Sequence, residues 1–389
     1  MVDKIFVLGL PHSRTIDPNK YAEFSSCAFT AEVWNLCRML TAQGYHVVHL
    51  GTEGSNPICA EQVDVVSYQE WNNLYGSRKV TEEYEAFKLD DRHLAHKIKF
   101  MGNIEKEIRA RCGADYTSII CCPLGQVHKS AVENIPQFAV ETGIGYQYPW
   151  SKYRVYESYA WYHYTMGAEK QMGDTWYHTV IPCAFDPAAY GPVVPTEKKQ
   201  NYFVMACRLH DDKGVGIGVS VARALGVPIK LIGQGNASSY LGPGVEYHKP
   251  MSGPELRELL RYAKGLFQPT RYIEPFGKVT IDAGISGCPC VVTDFGVFTE
   301  TIQHGQTGYR CRTWDQFMWA AKNVDKINPY TCHDWCVANY SLDRVGKMYK
   351  EYFQSLFDLN AKDGWHTDHP ERTQLDWLKM DHSMLGEHK

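Results

Sequence analysis

The run Glu274-Pro275-Phe276-Gly277-Lys278-Val279-Thr280-Ile281-Asp282-Ala283-Gly284 is where the residue types and spacing of this chain come nearest to chemistry. An apolar, strand-like segment precedes it and a helical pattern follows, so it stands where a loop turns into a helix. The first amides of a helix have no partner inside it, and together with the helix dipole they favour an anion. Gly277 removes the side chain where a phosphate must come close, leaving the N–H groups of Gly277, Lys278 and Val279 to bind it. Glu274 stands just upstream, within reach of a hydroxylated group beside that phosphate, and Asp282 follows eight residues later. Carboxylates accepting hydroxyl protons are a common means of holding a sugar. A plainer reading stays open, in which Glu274 complements the helix dipole and Asp282 pairs with Lys278 four positions earlier.

The elements that must position these residues alternate along the whole chain. Ile5 begins an apolar run that reads as a first buried strand with no cleavage site after it. A polar loop follows, then a helical face of Phe29, Val33, Leu36, Cys37 and Leu40, a stop at Gly44, and a second strand over 46–50. Parallel strands joined this way need a right-handed crossover. A helix over 91–111 and a strand over 117–122 continue the pattern. Pro182, Pro187, Pro192 and Pro195 mark a linker, placing a boundary near residue 190. Strand and helix signals then alternate again from 202 to 293, a second unit with the same grammar. The expected organisation is a domain over 1–190, a domain over 191–341, and a closing helix and tail over 342–389 that packs back on the first. Two tandem units of this α/β class leave a cleft at the carboxyl ends of their strands, where open parallel sheets bind ligands.

Composition narrows the function classes. At 389 residues the chain is long enough for about two to three cores. A formal charge of −4 supplies no global attraction to nucleic acid or anionic membrane. No stretch approaches the ~20 apolar residues of a membrane span. Thirteen cysteines, an odd number with Cys121-Cys122 adjacent, suit reduced thiols and a cytoplasmic setting rather than a disulfide framework. Cys332-His333 with Cys336, His93 with His96, and His366 with His369 each lack the second ligand pair of a zinc site, so no metal is expected.

The segment from Glu274 resembles a known signature once its continuation is included. Asp282, Gly287-Cys288-Pro289-Cys290-Val291-Val292-Thr293-Asp294-Phe295-Gly296, Glu300 and Gly305-Gln306-Thr307-Gly308-Tyr309 complete a run similar to that of retaining glycosyltransferase family 4. Ala206-Cys207-Arg208-Leu209-His210-Asp211-Asp212-Lys213-Gly214 resembles the family's segment ending in Lys-Gly, and Ile181-Pro182 with Phe185-Asp186-Pro187 its interdomain stretch. The resemblance covers residues 180–358 and implies the GT-B architecture, two Rossmann-like doubly wound domains facing a cleft. It makes Arg208 and Lys213 the cations on a donor diphosphate and Glu274 the carboxylate on the donor sugar. Phe276, Gly277, Lys278 and Val279 fall on the donor side, and Asp282 on the ribose. Without the resemblance, Arg208 to Lys213 reads as a solvated turn that starts a helix. Asp282 stands where the family usually has Glu, one methylene longer, and Val297 where a second Gly usually follows Gly296.

The first half departs more from the family. Leu10 runs into Pro11-His12-Ser13-Arg14 and a long loop in place of paired glycines, and that loop, with Ser25, Ser26 and Thr30 near the helix start, is a candidate lid. His128 follows the strand over 117–122 and is placed at a carboxyl end facing the cleft, with a surface-loop histidine as the alternative. Gly143 and Tyr146 join it as acceptor-side candidates. The stretch with Tyr156, Tyr159, Trp161, Tyr162 and Tyr164 serves equally as an acceptor platform or as core.

The implied activity is retaining transfer of a hexosyl or pentosyl group from a nucleotide-diphosphate sugar, UDP-linked first and GDP- or ADP-linked as alternatives, without metal or further cofactor. The acceptor is a hydroxyl on a carbohydrate, a lipid-linked sugar, a small molecule or a hydroxymethylated nucleobase in DNA. For the last of these, Lys152 and Arg154 lie beside the aromatic stretch, and nucleic acid enters only as acceptor. An epimerase or phosphorylase of related fold, and a silent sugar-binding scaffold, are the competing readings.

Overall fold

The computed structural model describes residues 4–17, 27–76, 90–112, 117–173, 175–251, 253–374 and 380–381. The chain divides into two compact units. The first comprises Met1–Glu157, Thr165–Ala184 and Leu342–Met380, and the second Ser158–Tyr164, Phe185–Ser341 and Asp381–Lys389. The chain visits the second unit over Ser158–Tyr164 and returns to it at Phe185, a few residues ahead of the boundary drawn from the prolines, where Phe185 pairs with Ser341.

Among the described residues the first unit holds a seven-stranded parallel sheet: β1 (Lys4–Leu8), β2 (His46–Thr52), β3 (Glu61–Val66), β4 (Ser118–Cys121), β5 (Phe138–Ile144), β6 (Tyr153–Tyr156) and β7 (His178–Val180), in the order β3-β2-β1-β4-β5-β6-β7. Side chains alternate across a strand, so a strand buried on both faces is apolar throughout. Ile5 and Val7 face one core with Val33, Leu36 and Leu40 of the Ala28–Ala42 helix. Phe6 and Leu8 face the other with Phe100, Ile104 and Ile108 of the Asp91–Arg111 helix. Each such side chain stabilises the fold by roughly 1.5–3 kcal/mol. The Leu342–Asn360 helix closes the first core with Val345, Tyr349, Tyr352, Phe353 and Leu356, a spacing that puts all five on one stripe.

The second unit repeats the scheme with six parallel strands: β8 (Phe203–Ala206), β9 (Ile229–Ile232), β10 (Val245–His248), β11 (Gly265–Gln268), β12 (Cys290–Thr293) and β13 (Gly308–Cys311), ordered β10-β9-β8-β11-β12-β13. In both sheets the chain starts at a central strand, runs outward on one side, then returns to build the other. The order therefore reverses between β1 and β4 and between β8 and β11. Open parallel sheets bind ligands at such points, beyond the carboxyl ends of their strands.

Candidate functional site

The loops leaving β8 and β11 meet at the reversal point of the second sheet. Gly214 ends the β8 loop in the left-handed region, at φ 70°, and a Cβ there would lie 2.1 Å from the Pro269 carbonyl oxygen, so only glycine lets the two loops approach. The Arg271 amide donates to the Asp212 carbonyl at 2.7 Å, and the Arg271 Nε to the Asp211 carbonyl at 3.2 Å. The β9 loop joins them, with the Leu209 amide donating to the Gln234 carbonyl and the Tyr240 hydroxyl to Asp211 Oδ1. The Thr293 hydroxyl, at the end of β12, donates to the Thr270 carbonyl at 2.6 Å.

This frame brings Lys213 and Glu274 together. The Lys213 Nζ donates to Glu274 Oε2 at 2.6 Å, and the two side chains are only 12% and 13% exposed. Burial alone would lower the Lys213 pKa, but the Glu274 carboxylate more than offsets it and the net shift is upward, which keeps the ammonium charged. The ammonium also lies 4.9 Å from the centre of the Tyr272 ring. Arg208 is exposed and makes no hydrogen bond or ion pair among the described residues, so its guanidinium is available to an anion.

Gly277, at φ 76°, is the N-cap residue of the Lys278–Ile285 helix, and Lys278 and Val279 open its first turn half-buried. The amides expected to face an anion thus head a helix, as the sequence implies. Phe276 is different: its ring is buried, stacked 6.5 Å from Phe185 and edge-on to Tyr340 at 5.7 Å, so its side chain anchors the loop inside the unit. Asp282 accepts from the Tyr190 hydroxyl through Oδ1 at 2.5 Å. Arg257 covers the Tyr190 ring at 4.7 Å and donates to the Ala189 carbonyl. Burial raises the Asp282 pKa, which the Tyr190 hydrogen bond partly counters. That carboxylate therefore fastens the 187–190 segment to the helix. Glu300 accepts from the Tyr159 and Ala160 amides at 2.9 and 2.7 Å, capping the Tyr159–Glu169 helix.

The residues singled out in the first unit each have partners within it. His128 does not face open space: it is fully buried in the Gln126–Val132 helix. Its Nδ1 accepts from the Leu124 amide at 3.2 Å and its Nε2 lies 3.0 Å from the Gly9 carbonyl. The ring thereby ties the loop after β4 to the end of β1. Burial lowers its pKa to about 4, so it is neutral near pH 7. Gly143 lies in β5 against Glu32, and the Tyr146 hydroxyl donates to Glu141 Oε1 at 3.1 Å while its ring packs over Gly125. Glu141 also accepts from the Trp150 and Ser151 amides, at 2.7 Å each.

The aromatic stretch divides. Tyr156 and Trp161 are buried, Tyr162 and Tyr164 are half-buried, and Tyr159 is exposed. Arg154, placed above beside the aromatic stretch in support of a nucleobase acceptor, is buried and donates to the Ser151 and Pro149 carbonyls and to Glu169. The 11–17 segment is held down: the Ser13 and Thr30 hydroxyls lie 2.7 Å apart, and Arg14 stacks on Tyr68 at 4.7 Å. Ser25 and Ser26 lie outside the described residues. All thirteen cysteines are free thiols, and among the described residues no group of three or more His, Cys, Asp or Glu is placed to hold a metal ion.

Sequence reasoning missed Tyr272, although its position two residues before Glu274 in the same loop was a usable signal. It also missed Asp211 and Tyr240, whose contact joins loops far apart in sequence.

Comparison with known proteins bears on the same segment. Residues 192–327 match the family model described as Glycosyl transferases group 1. A glycogen synthase from Mycobacterium tuberculosis is 29% identical over 122 residues, 28% of this chain and 29% of its own length. The chain thus matches less than a third of the length of that curated relative. Among solved structures, AviGT4, a glycosyltransferase involved in avilamycin A biosynthesis, superposes with a TM-score of 0.62 at 19% identity, covering 91% of this chain and 97% of its own. Anabaena HepE in complex with UDP and glucose does so at 0.58 and 12%, covering 91% and 100%. The fold is that of the GT-B glycosyltransferases, two Rossmann-like parallel-sheet units with alternating helices. Within it, the second unit carries the group 1 glycosyl transferase match. Among the described residues no helix is long and apolar enough to cross a membrane.

Proposed function

We propose that this chain is a retaining glycosyltransferase of family 4, moving a hexosyl or pentosyl group from a nucleotide-diphosphate sugar to a hydroxyl acceptor without a metal ion. The observation that carries the reading is the Lys213–Glu274 pair at the strand-order reversal, inside the segment that matches the group 1 model. A buried ion pair adds little to stability by itself, so retaining one at the strand-order reversal, where parallel sheets bind ligands, supports a role in binding.

In the proposed step the bond from the anomeric carbon to the diphosphate oxygen breaks and its electron pair stays on that oxygen. The acceptor hydroxyl oxygen bonds to the anomeric carbon on the face the diphosphate leaves. Its proton passes to the departing phosphate oxygen. Lys213, Arg208 and the amides of residues 277–279 stabilise the growing negative charge, an arrangement that needs no reorganisation during the reaction. Glu274 turns to a hydroxyl of the donor sugar. Asp282 would reach the ribose by its second oxygen, since Tyr190 holds the first. UDP-sugars stand first because HepE, which shares the fold, is solved with UDP and glucose; GDP- and ADP-sugars follow. Thirteen free thiols support a reducing, cytoplasmic setting.

The test is a thermal-shift panel of UDP, GDP, ADP, CMP and their sugar conjugates on the wild type and Lys213→Ala. A ligand that binds only the folded state raises the midpoint by mass action. One nucleotide diphosphate should stabilise the wild type and lose its effect in the variant. No shift with any nucleotide would overturn the donor-site reading. Retention is then read from the anomeric configuration of the product by NMR.

A further inference from the structure

Tyr272 packs beside the ion pair of the site. Its ring centre is 4.9 Å from the Lys213 ammonium, and Glu274 and Lys213 are the charged groups that act on its phenol. Burial, reinforced by the Glu274 carboxylate, raises the phenol pKa, so it stays a neutral hydroxyl near pH 7. Its place in the loop is fixed from both sides: the Arg271 backbone is bonded to Asp212 before it, and Phe276 is buried after it. A carbonyl one residue further back, that of Thr270, is held by Thr293.

Lys213 and Glu274 satisfy each other. On the donor-site reading, which this inference rests on, a nucleotide sugar must part them: the ammonium turns to the diphosphate and the carboxylate to a sugar hydroxyl. Parting a nearly buried ion pair leaves each charge short of a partner, which is costly unless another group takes up the vacancy. Tyr272 lies against the Lys213 ammonium, stands two residues from Glu274 in the same loop and carries no charge of its own. We propose that Tyr272 is the residue by which the site distinguishes a nucleotide sugar from the free nucleotide, its hydroxyl holding Glu274 on the sugar while its ring supports the Lys213 ammonium on the diphosphate. The hydroxyl acts through Glu274, so this is a positioning role, and ring and hydroxyl can be removed separately.

The experiment is calorimetric titration of UDP and UDP-glucose, and of the GDP and ADP pairs, into the wild type, Tyr272→Phe and Tyr272→Leu. Thermal melts confirm that each variant folds. The Phe variant keeps the ring: its affinity for the nucleotide sugar should fall about 10- to 150-fold, the range expected for a hydrogen bond to a charged group, with the free nucleotide changed less than about twofold. The Leu variant should weaken the free nucleotide as well, by about three- to tenfold. The Phe variant should also raise KM for the donor far more than it lowers kcat. Equal losses for both ligands in the Phe variant, or no loss for either, would overturn the inference even where the wild type binds both. A wild type that binds none of the nucleotides overturns the donor-site reading, and the inference falls with it, so the two failures are distinguishable. Should the Leu variant not fold, the Phe variant alone decides.

Discussion

The two sheets reverse their strand order in the same way, yet their reversal points are furnished oppositely. In the second unit the loops after β8 and β11 present an ion pair, an exposed arginine and a helix start. In the first unit the loops after β1 and β4 are joined by the buried, neutral His128, and His12 lies against Cys27 Sγ at 3.3 Å. One topology thus carries two arrangements of polar residues, a charged pair beside an exposed cation and a neutral ring that locks a loop in place. What separates them is solvent access and charge, not strand order.

The largest expected effect lies in the second unit. Glu274→Gln keeps the side-chain volume and removes the charge, and turnover should fall by about 10²- to 10³-fold once a donor and acceptor pair is in hand. A loss below about tenfold would return Glu274 to a structural carboxylate. Initial rates of nucleotide release supply the number.

Acid separates the units next. His12, His49 and His128 of the first unit have folded-state pKa values of about 4, against 6.5 for the free side chain, because burial disfavours the charged ring. The unfolded chain then binds more protons between those values. The stability they contribute is complete above about pH 6.5 and is lost as pH falls toward about 4, on the order of 3 kcal/mol for each histidine. Glu141, raised to about 7 by burial, works in the other direction: its contribution is present below about pH 4.5 and lost as pH rises through about 7. These three oppose one, and His178 and His96 are shifted in the same direction as the three, so between about pH 4.5 and 6.5 the first unit should gain stability with pH. Denaturant unfolding at several pH values, followed by hydrogen exchange on each unit, checks this; a flat profile for the first unit would contradict the neutral, buried histidines.

His128→Ala should then destabilise the first unit by about 2–3 kcal/mol, since it strips partners from the Gly9 carbonyl and the Leu124 amide, while leaving nucleotide affinity unchanged. A loss of affinity with stability intact would restore it to the site. The smallest effect is that of Arg208→Ala, where removing an exposed cation should weaken nucleotide-diphosphate binding by roughly tenfold and leave the melting temperature in place. Titration at two salt concentrations should show that difference shrinking as salt rises.

Much of the fold was legible because apolar runs bounded by glycine and proline are local signals. The strand over 46–50 and the helix over 91–111 needed nothing else. β3 escaped because Glu61, Gln62 and Asp64 make it too polar for a buried strand; its neighbour β2 and the Asp91–Arg111 helix supply the burial. β6 escaped because its tyrosines suggested a stacking surface, whereas Tyr156 is wholly inside. In the site, Gly277 was legible from its place before a helix. The employment of Asp282 was not, since Tyr190 lies 92 positions away. Likewise, a histidine after a strand reads alike whether it faces solvent or, as His128 does, a carbonyl 119 positions earlier.

The central claim is that the second unit binds a nucleotide-diphosphate sugar through Lys213 and Glu274. Calorimetric titration of UDP and UDP-glucose into the wild type, Lys213→Ala and Glu274→Gln tests it most directly. The expected result is that Lys213→Ala loses both ligands, whereas Glu274→Gln keeps UDP and loses the added affinity of the sugar. Unchanged affinities in both variants, beside a wild type that binds, would contradict it and place the nucleotide elsewhere on the chain.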